Sequence, residues 1–374
     1  MPDFPAEEFQ ARTEAVQRAM HAQSIDALLV CTEAEMRYFT GFRTPFWQSP
    51  TRAWFLIVPA RGAPIAVIPG IGADLMATTW VTDIRSFPAP SGGDEGLTLL
   101  ARALSPFQTI ALPMGEEAAL RMPLAEFDRL RAGLSASWVD GTPLIKALRM
   151  VKSAAEIAVI REICAIGSRA FARAPDLFHA GQPLEDVFRR FRIALLEAGA
   201  EDVPYLVGGA GPGGYRDVIS PPSDRPLQPG DVLMLDTGAT RAGYFCDFDR
   251  NWAIGRASDA ARQGHAALWQ AVERGLAAAQ PGITCAGLFA AMADGLGDGA
   301  DIGRMGHGLG MQLTEWPSVA AHDQTVLCAG MVLTLEPSLP LPGGRMMVHE
   351  ENILITEAGP ELLSERTPPD LPVI

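Results

Sequence analysis

The alternation of apolar and polar positions divides the chain into two regions of different texture. Over residues 7–22 apolar side chains recur at helical spacing, and IDALLVC then forms an unbroken apolar run, the mark of a buried strand. After the aromatic and arginine-rich stretch EMRYFTGFRTPFWQSPTRAWFLIV, apolar runs (AWFLIV, PIAVIP, QTIALP) alternate with helical stretches (LTLLARALSPF, PLAEFDRLRAGL). That alternation predicts an α/β domain ending near residue 145. A long helix is expected next over SAAEIAVIREICAIGSRAFARA, where Ser153 and Glu156 form a capping box and Gly167 is the one break. From about residue 203, VPYLVGGAGPGGYRDVISPPSDRPLQPGD has little periodicity and many turn formers, and it reads as a wall or rim segment. Helices resume over 257–278 and 284–296, and hairpin-like apolar segments close the chain.

Length and charge narrow the possibilities. A chain of 374 residues forms two domains more naturally than one. No apolar run approaches the roughly 18 residues a membrane helix needs, so no membrane role is expected. The acidic, polar start MPDFPAEEFQARTEAV lacks the features of an export signal. A formal net charge of -14 argues against nucleic-acid or anionic-membrane partners, which need a concentrated basic face. Five scattered cysteines with no C-x-x-C pair fit reduced thiols packed in the core of a cytoplasmic protein.

The chemistry concentrates in LMLDTGATRAGYFCDFDRNWAIG, residues 234–256, where carboxylates interrupt apolar, strand-like runs. Asp236 and Asp247 lie an odd number of residues apart across an Arg-Ala-Gly turn, as a directly opposed pair in a two-residue hairpin requires. Two like charges so close in a core need something positive between them, and a pair of metal ions meets that need. A second strand-turn-strand segment, MVLTLEPSLPLPGGRMMVHEENILIT, repeats the pattern with Glu336 and Glu350, and His307 sits between the two among glycines. Strand alternation sends Glu350 and its neighbour Glu351 to opposite faces. Four carboxylates balance two divalent cations, and oxygen ligands with one imidazole suit manganese, iron, cobalt or zinc.

In this order, DTGATRAGYFCDFDR, GHGLGMQLTEWP, LTLEPSL and VHEENILIT resemble the metal-site segments of the pita-bread metallopeptidases: aminopeptidase P, prolidase, ectoine hydrolase and creatinase. RYFTGF and LRMVKSAAEI extend the resemblance over most of the chain. The resemblance implies an α/β creatinase-like N-terminal domain over 1–145 and an α+β pita-bread catalytic domain over 146–374. It makes Asp236 a chelating ligand of one ion, Asp247 and Glu350 bridges, and His307 and Glu336 ligands of the other. Manganese is the foremost candidate, with zinc, cobalt or iron as alternatives. A hydroxide held between the ions would attack a carbonyl carbon, with Glu336 taking and returning the proton. A homodimer is implied as well.

The sequence also departs from that pattern. Thr314 stands where the family's peptidases place a second histidine, Val348 stands where an arginine is usual, and GPGGYRDVISPPSDRPL contains no histidine. The missing groups handle peptide, whereas all five metal-ligand positions remain. The expected activity is therefore hydrolysis of a C–N bond in a small amino-acid-derived amide. Xaa-Pro dipeptidase is the runner-up, followed by chemistry like that of dimethylsulfoniopropionate lyase and by a catalytically dead binding protein. Substrate-pocket candidates are Thr314, Glu315, Val348, His322 and Tyr215, with Trp47 and Arg52 either core or a loop that caps a partner's site. His349 should point away from the ions, and Asp249 is expected to pair with Arg250. The run GGAGPGG lacks a P-loop lysine and reads as a flexible rim.

Overall fold

The structure is a computed structural model and describes residues 3–49, 53–296 and 303–374. It divides into two compact units, Met1–Arg149 and Met150–Ile374. The expected division at 145 would cut the helix Thr142–Met150.

The first unit is built on one six-stranded sheet. Its strands are β1 (Ala27–Val30), β2 (Phe55–Pro59), β3 (Ile65–Pro69), β4 (Asp83–Phe87), β5 (Thr109–Leu112) and β6 (Ser137–Asp140), in the order β4-β3-β2-β1-β5-β6. The sheet is mixed, because β1, β2 and β3 pair antiparallel while β4, β5 and β6 join in parallel. Leu29, Phe55, Ile57 and Ile110 pack under the helices Leu97–Leu104 and Leu124–Ala132 through Leu100, Leu104, Phe127 and Leu130. Both faces of β1 are buried, which explains why IDALLVC shows no alternation. Trp47 also belongs to this unit's interior. It packs 5.7 Å from Trp54, and the Arg121 guanidinium lies 4.9 Å over its ring. The core alternative thus accounts for Trp47, while Arg52 lies outside the described residues.

Among the described residues the second unit holds two larger sheets and a two-stranded one. β7 (Asp202–Pro212), β8 (Asp231–Arg241), β9 (Tyr244–Phe245) and β10 (Phe248–Ala253) make one, ordered β10-β8-β7 with β9 on β8. β11 (His307–Gly308), β12 (Glu315–Ser318), β13 (Val332–Leu335), β16 (Glu351–Thr356) and β17 (Gly359–Leu362) make the other, and β14 (Ser338–Leu341) pairs with β15 (Arg345–Val348). The first third of the stretch read as wall or rim, residues 203–212, lies in β7, and residues 213–230 are mostly turn and irregular. The glycines of β7 conceal the periodicity, yet Gly208 sits so close to the Met234 carbonyl that a Cβ would collide with it.

Helices pack on this framework as the sequence predicts. Ala154–Ala172 begins with the Ser153/Glu156 capping box, and Gly167 admits the Phe248 ring, which a Cβ would meet at 2.9 Å. Asp259–Ala278 and Cys285–Ala293 cover the five-stranded sheet through Val272, Leu288 and Met292 against Leu333, Leu335 and Ile353. Among the described residues no helix is long and apolar enough to cross a membrane.

Candidate metal centre

The site is organised by two hairpins, each interrupted where the expected ligand residues stand; the first stays within one sheet and the second passes from the five-stranded sheet to the β14/β15 pair. In the first, β8 turns into β9 through Ala242 and Gly243, both with positive φ (50° and 78°). This two-residue turn fixes the register. The pairing continues into β10 with Asp236 opposite Asp249, not opposite Asp247 as expected. The odd spacing is satisfied by either pairing, and the turn lies one residue further along than Arg-Ala would place it. Asp247 occupies the break between β9 and β10, on the same side of the ribbon as Asp249 by strand alternation. Asn352 anchors it there, accepting from the Asp247 amide at 2.9 Å and donating to its carbonyl.

The second hairpin has the expected symmetry. Leu335 pairs with Glu351 on one side of the break and Ser338 with Val348 on the other, so Glu336 and Glu350 fall opposite each other. His307 enters from β11, whose flanking glycines permit its approach: a Cβ on Gly306 would strike the Thr334 carbonyl, and one on Gly308 the Trp316 carbonyl. Its Nδ1 lies 2.9 Å from the Gly308 carbonyl. Because a carbonyl only accepts, Nδ1 carries the proton and Nε2 presents its lone pair to the site. Nε2 is 3.4 Å from Asp247 Oδ2 and 3.9 Å from Glu336 Oε2.

Asp247, His307 and Glu350 each direct one donor atom into a space where all three lie within 4.8 Å of one another. All three are buried, whereas the Glu336 side chain is 25% exposed and marks the open side. Charge is poorly compensated at the buried end. Asp236 Oδ1, Asp249 Oδ1 and Glu350 Oε1 are buried without a hydrogen-bond partner among the described residues. Burial, and next the neighbouring Glu336, push the Asp236 carboxyl up to about 7. Burial together with Asp236 and Glu336 holds Asp247 well above the usual carboxylate range, and burial together with Asp247 and Asp236 does the same to Glu350. Tyr205 shares a hydrogen bond with Asp236, and Arg304 opposes the rise at Asp247. Orphaned oxygens beside a lone-pair nitrogen form a hard donor set that fits a divalent cation.

Around this cluster the pocket candidates separate. Thr314 is half-buried at the open side, where its hydroxyl meets Arg304 Nη2 at 3.5 Å. Glu315 is a correction: it lies buried in an ion pair with Lys152 Nζ at 3.4 Å and accepts from the Gln312 amide. Tyr215 is another, a fully buried core residue whose hydroxyl accepts from the Val348 amide at 2.7 Å and donates to Asn251 at 3.1 Å. The Val348 backbone is engaged on both sides, its carbonyl accepting from Asn251. His322 stands in an exposed turn. His349 and Glu351 face away from Glu350, as alternation requires, with His349 Nε2 3.5 Å from Glu351 Oε1. Asp249 does not pair with Arg250, because adjacent strand residues face opposite ways. Its carboxylate accepts from Asn251 at 2.6 Å, while Arg250 binds the Asp249 and Glu350 carbonyls and the Glu351 carboxylate. Asn352, Tyr205 and Arg304 are not singled out by sequence pattern, although a lone Asn in the apolar run of VHEENILIT is a signal for the first.

Comparison with known proteins agrees with this geometry. Residues 158–357 match the model of metallopeptidase family M24, and residues 12–151 match the creatinase/prolidase N-terminal domain. The chain is 27% identical over 362 residues to a probable dipeptidase PepE of Mycobacterium tuberculosis, covering 95% of this chain and 94% of that one. It is 26% identical over 363 residues to an Xaa-Pro dipeptidase of Pyrococcus furiosus, covering 95% and 97%. Among solved structures, the dipeptidase PepE of Mycobacterium ulcerans superposes with a TM-score of 0.86 at 29% identity over 99% of each chain. The prolidase of Pyrococcus horikoshii shares the fold, with a TM-score of 0.82 at 22% identity over 96% of this chain and 99% of that one. With a creatinase-like first domain, a pita-bread second domain and the chemistry of a hydrolase acting on C–N bonds, this chain belongs to metallopeptidase family M24.

Proposed function

We propose that the protein is a dinuclear metal-dependent dipeptidase, with Xaa-Pro dipeptides as its foremost substrates. The observation that carries this reading is the convergence of Asp247, His307 and Glu350 within 4.8 Å beside buried, unpartnered carboxylate oxygens. Asp236 and Asp247 would hold one divalent ion and His307 and Glu336 the other, with Asp247 and Glu350 shared; manganese comes first, then zinc, cobalt or iron. Such ions, when bound, supply Lewis acidity that activates water and polarises a carbonyl.

The chain's own residues do the rest. His307 is locked in one tautomer by Gly308, so its ligating nitrogen does not depend on rotation of the ring. Asn352 fixes the Asp247 backbone and thereby the reach of its carboxylate. Glu336, half-buried beside Arg304, would hold and return a proton at the open side. The names of the relatives favour a dipeptide, whereas Thr314, in the position of the family's second histidine, favours a smaller amide such as a cyclic amino-acid derivative. Free thiols, four buried and Cys328 exposed, support a cytoplasmic enzyme, and the resemblance supports a homodimer.

Metal analysis of the purified protein, followed by assays of Xaa-Pro dipeptides against small cyclic amides, tests the proposal. The expected result is close to two bound ions per chain and dipeptide hydrolysis that stops on chelation. Cleavage of cyclic amides alone selects the second reading, and a loaded protein that cleaves neither overturns both.

A further inference from the structure

The open side of the centre carries a cation that its surroundings leave incompletely engaged. Arg304 is 37% exposed, with Nε 3.4 Å from Glu336 Oε1 and Nη2 3.5 Å from the Thr314 hydroxyl. Both separations exceed the roughly 2.7–2.9 Å of a tight charge-assisted bond. A guanidinium has five N–H donors in a planar fork, and among the described residues these two nitrogens account for the contacts of Arg304. Arg250 on the buried side, by contrast, is bound by three carbonyls and a carboxylate.

We propose that Arg304 is the specificity residue that receives the free carboxylate of the substrate. Three physical points lead there, resting on the dipeptidase reading above. A substrate carboxylate approaching Asp236, Asp247, Glu336 and Glu350 meets like charge, and even two divalent ions only neutralise that set. Arg304 is more exposed than Glu336, 37% against 25%, so a carboxylate entering from the open side meets the guanidinium first. The scale also fits: Arg304 touches Glu336, whose other oxygen is 3.9 Å from His307, and a dipeptide's carboxylate lies about one residue, roughly 3.8 Å, beyond its scissile carbonyl. Thr314 carries no charge and offers the fork only a hydroxyl at 3.5 Å, so it does not compete with a carboxylate for it. The arrangement selects substrates whose chain ends directly after the cleaved bond's second residue.

The test compares Ala-Pro with its C-terminal amide on the manganese-loaded protein, for wild type, Arg304→Ala and Arg304→Lys. Wild type is expected to prefer the free acid by at least about tenfold in kcat/KM, carried by KM. Arg304→Ala should abolish that preference and Arg304→Lys restore part of it, with metal content unchanged in both. Calorimetric binding of L-proline against L-prolinamide provides a readout without turnover and should show the same loss. If Arg304→Ala lowers kcat for acid and amide alike, or leaves proline binding intact, the assignment is wrong. Should wild type cleave neither compound, the dipeptidase reading falls, and proline binding alone decides the role of Arg304.

Discussion

Glu350 and Glu351 are adjacent, both buried, and opposite in physical state. Glu351 faces Arg250 at 2.9 Å, the Ser364 hydroxyl and His349. Burial works against its charge, yet Arg250 and His349 hold its carboxyl down to about 2. Glu350 faces Asp247 and Asp236, and burial with those neighbours drives it well above the ordinary range. One strand thus separates a carboxylate whose Oε2 is held by Arg250 and Ser364 from a carboxylate set among like charges. The second condition is tolerable in a folded protein when a ligand supplies the missing cation. The contrast supports the proposed metal centre without reference to any relative.

The comparison is broken most directly by neutralising each member in turn. Glu351→Gln leaves Arg250 with its carbonyl acceptors but no counter-charge in the core, and should cost about 3–5 kcal/mol of stability, the usual cost of removing one partner from a buried pair. Metal occupancy should survive, provided the measurement is made where the variant is still folded. Glu350→Gln should do the reverse: metal content and turnover are lost, while thermal stability without metal is unchanged or raised. Chemical denaturation and metal analysis on both variants check this. Equal loss of stability in the two would erase the distinction.

A second, smaller effect comes from pH, where the two faces have opposite signs. Glu351 is held below its unfolded value, so its stabilisation is complete above about 4.3 and is lost as pH falls toward about 2. Asp236, raised to about 7, takes up protons in the folded state that the unfolded chain releases near 3.9. Its contribution is greatest below that value and disappears as pH rises through about 7. Chelated protein should therefore melt several degrees lower at pH 8 than at pH 5, and saturating manganese should flatten or invert that slope. A chelated melting temperature that rises over the same interval would show that the carboxylates are compensated within the chain.

Much of this contrast is legible in the sequence, because carboxylates within apolar runs are conspicuous and alternation already sends Glu350 and Glu351 apart. Register is not. Parity allows Asp236 to oppose either Asp247 or Asp249, and only the backbone of Ala242 and Gly243 decides between them. The strand Asp202–Pro212 is hidden because Gly208, Gly209 and Gly211 carry no side-chain period. Asn352 holding Asp247 and Tyr205 bonding Asp236 are contacts between distant stretches, which no local pattern encodes. Ligand types can be read from the sequence, whereas their supports require the fold.

Tyr215 sharpens the boundary between site and support with the smallest expected effect. Its hydroxyl connects the Val348 amide to Asn251, and Asn251 in turn donates to the Asp249 carboxylate opposite Asp236. Tyr215→Phe leaves a buried amide without its acceptor and should cost about 1–2 kcal/mol. If Tyr215 only braces the ribbon, equilibrium unfolding will register that loss while KM and metal content hold at the wild-type values. A tenfold rise in KM at full metal occupancy would instead place the hydroxyl in reach of substrate, and the line between site and support would have to be drawn one layer further out.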